Sequence, residues 1–82
     1  MTQSENITIG QNVARLREDA EMSVSEAARQ LGVGRTYWYQ IETGTANLTL
    51  EKLKRIAEMF DVSVRDLFTE RKPRKEPVGA RR

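Results

Sequence analysis

The chain of 82 residues contains no cysteine and no histidine. Lacking cysteine, it has no disulfide, no thiolate metal site and no redox motif. The absence of histidine removes the commonest general base and the commonest metal ligand. No clustered carboxylate site takes their place, so no catalytic residue, metal or cofactor is expected. Long apolar runs are also missing, and none approaches the ~20 residues of a membrane helix. The opening Met1-Thr2-Gln3-Ser4-Glu5-Asn6 is polar and has no apolar stretch of the signal-peptide kind. The expectation is a soluble, cytoplasmic protein with no membrane partner and no small-molecule ligand.

Basic charge is scarce outside the C-terminus. Arg71, Lys72, Arg74, Lys75, Arg81 and Arg82 stand there against Glu76 alone. That leaves eight basic against eleven acidic groups in residues 1–70, although the whole chain is formally +2. Residues 1–70 therefore do not suit a protein that binds nucleic acid by bulk charge. Specific binding must rest on where individual groups are placed.

One domain is expected from this length, with a modest core. Ile9, Val13, Leu16 and Ala20 recur at helical spacing, and Thr8 with Gln11 reads as a capping box opening that helix. Ser23 with Glu26 repeats the signal, with Ala27, Ala28 and Leu31 on one side and Gly32 as the stop. A third helix runs from about Arg35 to Thr43 and ends at Gly44. Thr49 caps a fourth, with Leu50, Leu53, Ile56, Ala57 and Phe60 facing inward. Ser63 with Asp66 opens a last short helix holding Val64, Leu67 and Phe68. No alternating β-branched run competes, and no internal repeat is evident. The reading is an all-α, five-helix domain over residues 8–69. Residues 1–7 read as a flexible arm and 70–82 as a disordered basic tail.

The candidate functional surface lies on the third helix. Trp38 and Ile41 share its inner face with Tyr37 beside them, and Val33 packs beneath. Thr36, Tyr39, Gln40 and Thr43 fall at i, i+3, i+4 and i+7 on the opposite side. That outer stripe carries no carboxylate. Its chemistry suits base edges in the DNA major groove: Arg35 can donate twice to guanine, Gln40 can pair with adenine, and Thr36 can meet a thymine methyl. Tyr39 can lie on a sugar or reach a phosphate. Ser23 and Ser25, at the start of the second helix, and Thr45 and Asn47, past the third, are candidate phosphate contacts. Plainer readings stand beside these. Trp38 is core or else a stacking surface, Tyr37 core edge or backbone contact, and Tyr39 and Arg35 functional or merely solvated. Leu67, Phe68 and Met59 are core, or in part an exposed apolar cluster suited to a dimer interface.

Residues 9–68 resemble the Cro and phage-repressor type, XRE-like helix-turn-helix family. The resemblance rests on Leu16-Arg17-Glu18, Ala28, Gly32-Val33, Ile41-Glu42-Thr43-Gly44, Leu53 with Ile56-Ala57, and Val62-Ser63-Val64 with Leu67. Arg35-Thr36-Tyr37 before Ile41-Glu42 is similar to restriction–modification controller proteins; phage and mobile-element repressors share much of this pattern. The resemblance implies a lambda-repressor-like DNA-binding domain, in a prokaryotic nucleoid, that binds a palindromic double-stranded operator as a homodimer. It also implies a pairing of Arg17 with Glu42. The chain departs from the family at Val24, where glutamine is common, and at Ala27, where leucine is. Gly34 replaces a serine cap and Leu48 a proline, while Trp38 replaces a small aliphatic. The function expected is a transcriptional regulator; the alternative is a protein-interaction module of the same fold.

Overall fold

The computed structural model describes residues 2–70. Five helices follow in order: α1 (Gln3–Asp19), α2 (Val24–Leu31), α3 (Arg35–Thr43), α4 (Leu50–Met59) and α5 (Val64–Phe68). No strand occurs among the described residues. The basic tail from Arg71 onward lies outside them.

Local chemistry sets the helix ends. Ser23 Oγ accepts the Glu26 amide at 3.0 Å, and the Glu26 carboxylate accepts the Ser23 amide at 2.9 Å. Ser63 and Asp66 repeat that exchange at 3.1 and 2.9 Å. Thr49 Oγ1 accepts the Lys52 amide at 3.1 Å. Each satisfies donors that the first helical turn would leave orphaned. Gly32 and Gly44 end α2 and α3 at φ +84° and +81°, where a side chain would be strained.

The start of α1 differs from the sequence reading. Thr8 does not cap it; Thr2 does, exchanging hydrogen bonds with Glu5 at 3.1 Å each. Gln3–Ile7, assigned above to an arm, are helical. Two adjacent cap signals compete here, and packing favours the earlier one. A Cβ built on Gly44 would lie 2.9 Å from Ile7 Cα, so this extra length of α1 rests against the end of α3.

The core gathers Ile9, Val13, Ala27, Ala28, Leu31, Trp38, Ile41, Ala46, Leu53, Ile56, Ala57 and Leu67. The small Ala27 and the large Trp38 are both fully buried, which keeps core volume near constant. Leu16, Val33, Tyr37 and Phe60 are partly buried against this cluster. Two inward assignments need correcting. Leu50 is 59% exposed because it opens α4 before the helix reaches the core. Ala20 is exposed at the C-cap of α1, past the last residue that the helix buries. Asn12 is a buried polar residue. Its amide donates to the carbonyls of Leu67 (2.7 Å), Thr69 (2.9 Å) and Asp66 (3.4 Å), closing the end of α5 onto α1.

Two corners of the chain are built alike. After α1 and after α4 a carboxylate residue takes the left-handed conformation, Glu21 and Asp61, each at φ +56°. The next amide turns back to the helix, Met22 to Arg17 O at 3.1 Å and Val62 to Ala57 O at 3.0 Å. A serine capping box follows in both cases.

Gly34, the N-cap of α3, has φ −82° and makes no side-chain cap hydrogen bond. A Cβ there meets nothing within 4 Å. Gly34→Ser is expected to raise stability by about 0.5 kcal/mol, through a new cap and a less flexible unfolded chain. Urea unfolding checks this as a higher midpoint at unchanged m-value.

Candidate nucleic-acid interface

The α2–turn–α3 unit positions the outer stripe. Val33 N–H bonds to Ala28 O at 2.9 Å as the chain leaves α2, and Gly32 lets it reverse. Trp38 and Ile41 then anchor α3 with zero exposure. Their burial fixes the rotation of the helix. Arg35, Thr36, Tyr39, Gln40 and Thr43 are consequently exposed, and Tyr39 leaves 54% of its surface to solvent. Full burial removes Trp38 from any stacking role.

The other candidates lie outside this stripe. Ser23 and Ser25 are exposed at the start of α2. The Ser23 hydroxyl accepts the Glu26 amide and keeps its own proton to donate. The Glu26 carboxylate already occupies the amide of Ser23, which narrows the room for an anion there. Thr43 and Thr45 are turned into their own backbone. Thr43 Oγ1 donates to Tyr39 O at 3.0 Å, and the two threonine hydroxyls lie 3.2 Å apart. Gln40 O accepts the amides of Thr45 (2.9 Å) and Ala46 (3.1 Å), so this knot ends α3. Tyr37 is half-buried; its hydroxyl donates to Asn47 O at 3.1 Å. The Lys52 ammonium lies 5.6 Å from the centre of the Tyr37 ring. Tyr37 thus braces the loop rather than joining the stripe. Of Leu67, Phe68 and Met59, Leu67 is wholly buried and the other two are half-buried.

A polar joint holds α1 to α3. Arg17 Nε donates to Glu42 Oε2 at 2.6 Å and Arg17 Nη2 to Glu42 Oε1 at 3.2 Å. Arg17 Nη1 donates to Met22 O at 3.1 Å. Trp38 Nε1 donates to the same Glu42 Oε2 at 2.6 Å. The arginine and glutamate side chains are only 15% and 11% exposed. The hydrogen bond from Glu42 raises the Arg17 pKa above its ordinary value, against the opposing effect of burial. Two-pronged arginine–carboxylate contact is the strongest form such a pair takes.

The indole contact was missed in the sequence. Its signal was present, because Trp38 and Glu42 are four apart on one helix and so lie within reach. Gly10 was missed too. A Cβ there would sit 2.4 Å from Ile41 O and 2.6 Å from Glu42 O, so α1 and α3 approach backbone to backbone. Among the described residues, no group of histidine, cysteine and carboxylate side chains could hold a metal. No described helix is long and apolar enough to cross a membrane.

Several known proteins are similar to this chain. Residues 8–68 match the helix-turn-helix domain family. The chain is 32% identical over 69 residues to the control protein C.BamHI of Bacillus amyloliquefaciens, covering 83% of this chain and 85% of that one. Its fold superposes on the restriction-modification controller protein C.AhdI from Aeromonas hydrophila with a TM-score of 0.72 at 28% identity. That match covers 79% of this chain and 98% of the other. A crystal structure of SinR, the master regulator for biofilm formation, in complex with DNA matches with a TM-score of 0.67 at 32% identity. It covers 74% of this chain and 98% of that one.

Proposed function

From the premise that this chain belongs to the XRE-like helix-turn-helix family, we propose that it is a sequence-specific transcriptional regulator that reads DNA with α3. The observation that carries this reading is the exposed, carboxylate-free stripe of Arg35, Thr36, Tyr39 and Gln40, which the chain's own fold leaves uncovered. Arg35 and Thr36 lie in the first turn, which reaches deepest when a helix enters the groove by its N-terminus. Ser23, Ser25, Thr45 and Asn47 lie outside the stripe and serve as backbone contacts that fix register. Tyr37 and Thr43 act through the conformation of α3 and its following loop.

The chain acts as a homodimer on a palindromic operator, with the two α3 helices in major grooves about one turn, or ~34 Å, apart. Selection of bound sites from random DNA tests the whole proposal. A single symmetric motif is expected, and a failure to enrich any motif would overturn it.

Arg35→Ala is expected to cost about 1–3 kcal/mol at one base position and to relax preference there. The check is binding to an operator series substituted at each position. An equal loss on every DNA would instead make Arg35 a phosphate contact.

The acidic excess of residues 1–70 favours a second reading, a protein-interaction module. Salt separates the two. Specific DNA binding predicts a linear fall of log K with log salt and a large advantage for one sequence. A protein-interaction module predicts neither.

A further inference from the structure

Beside the stripe, three contacts converge on Tyr37. The ring is half-buried against the core, its hydroxyl holds Asn47 O, and the Lys52 ammonium stands over its face. Lys52 belongs to the first turn of α4, whose N-cap Thr49 fixes its backbone. Among the described residues no carboxylate pairs with this ammonium; the ion pairs there belong to Arg17. Lys52 is therefore a cation kept in place by an aromatic face and left with its charge uncompensated. Such a contact restrains the long side chain without neutralising it.

Position gives this arrangement its use. Tyr37 is next to Thr36 in sequence and three residues before Gln40, so its ring lies on the flank of α3 that adjoins the stripe. A helix seated in a major groove has a phosphate chain along each flank. We infer that Lys52 is a phosphate contact of this protein and that Tyr37 is the positioning residue that holds Lys52 and the Asn47 loop in place for it. The inference rests on the DNA-reading function proposed above. It gives Tyr37 no contact with a base and adds Lys52, which its place in α4 hides from any reading of α3 alone. A lysine is a point charge with three donors, which suits one phosphate oxygen without choosing a base.

The test uses the full chain and the duplex enriched from random DNA. Binding is measured across a salt series for the parent, Lys52→Gln, Lys52→Arg, Tyr37→Leu and the Tyr37→Leu/Lys52→Gln pair. Lys52→Gln is expected to weaken binding to every sequence and to flatten the log K against log salt line by about 0.9 for each bound subunit. Lys52→Arg restores the slope. Tyr37→Leu weakens all sequences alike, and by a smaller factor once Lys52 is already glutamine, because part of its role is to hold that residue. Lys52 is only partly exposed, so circular dichroism of each variant accompanies the series to check that the fold is kept.

An unchanged slope in Lys52→Gln overturns the phosphate contact. An altered base preference in Tyr37→Leu, or full additivity with Lys52→Gln, overturns the positioning role. Should the parent enrich no duplex at all, the DNA-reading function itself fails and this inference with it. Should the parent bind a preferred duplex while Lys52→Gln matches its slope, the clamp alone is lost.

Discussion

Glu42→Ala is expected to destabilise the domain by about 3 kcal/mol, near the lower end for breaking one side of a buried ion pair. Two donors lose their acceptor at once. Arg17 keeps a charge in a place 15% open to solvent, and the indole N–H of Trp38 stays in a residue with no exposure. A buried donor left without a partner costs about 1–3 kcal/mol by itself. The small outward exposure of the pair keeps the sum from reaching the limit for fully buried ions. For a domain of this size the thermal midpoint should fall by more than about 10 °C. Operator choice should survive, because the Glu42 carboxylate is turned from α3 toward Arg17 of α1 and away from the outer stripe. Melting followed by far-ultraviolet circular dichroism gives the first quantity, and site selection below the new midpoint gives the second. A changed preferred sequence would move Glu42 from the joint to the reading surface.

Gly10→Ala should be nearly as damaging, although helix propensity alone predicts the reverse. Alanine in the interior of a helix is favoured over glycine by about 1 kcal/mol. Here the new methyl would meet two carbonyl oxygens of α3 at 2.4 and 2.6 Å. Backbone cannot rotate aside as a side chain can, so α1 must move off α3 and strain the Arg17–Glu42 contact with it. Overpacking of this kind costs about 1–3 kcal/mol and occasionally more, and a net loss of at least about 2 kcal/mol is expected. Denaturant unfolding of the variant reads it directly. A neutral or stabilising result would mean that α1 and α3 do not approach this closely.

The helices downstream of α1 were open to reading because their ends carry strong local chemistry. Ser23–Glu26, Ser63–Asp66, Gly32 and Gly44 each need only their immediate neighbours to act, and each acts as expected. The start of α1 was misread because two cap signals six residues apart are locally equivalent. Only the contact of Ile7 with Gly44 separates them, and that contact joins distant parts of the chain. The exposed stripe of α3 followed from periodicity once Trp38 and Ile41 were placed inside. What periodicity could not supply was anything that crosses between helices. Gly10, Asn12 and Lys52 carry no local signal that singles them out. Each gains its meaning from an atom more than ten residues away: Ile41 O, Leu67 O and the Tyr37 ring.

The paired corners at Glu21 and Asp61 bear on how firmly this small fold is set. A side chain held in the left-handed region costs roughly 1 kcal/mol relative to glycine, and the chain accepts that cost twice. Both corners precede a serine-capped helix, so the geometry they enforce aims α2 and α5 at the core. The chain thus carries backbone strain at two corners, while glycine stands at the two ends, Gly32 and Gly44, that bracket α3. The ends of the proposed reading helix are therefore free of the side-chain strain that the corners before α2 and α5 bear.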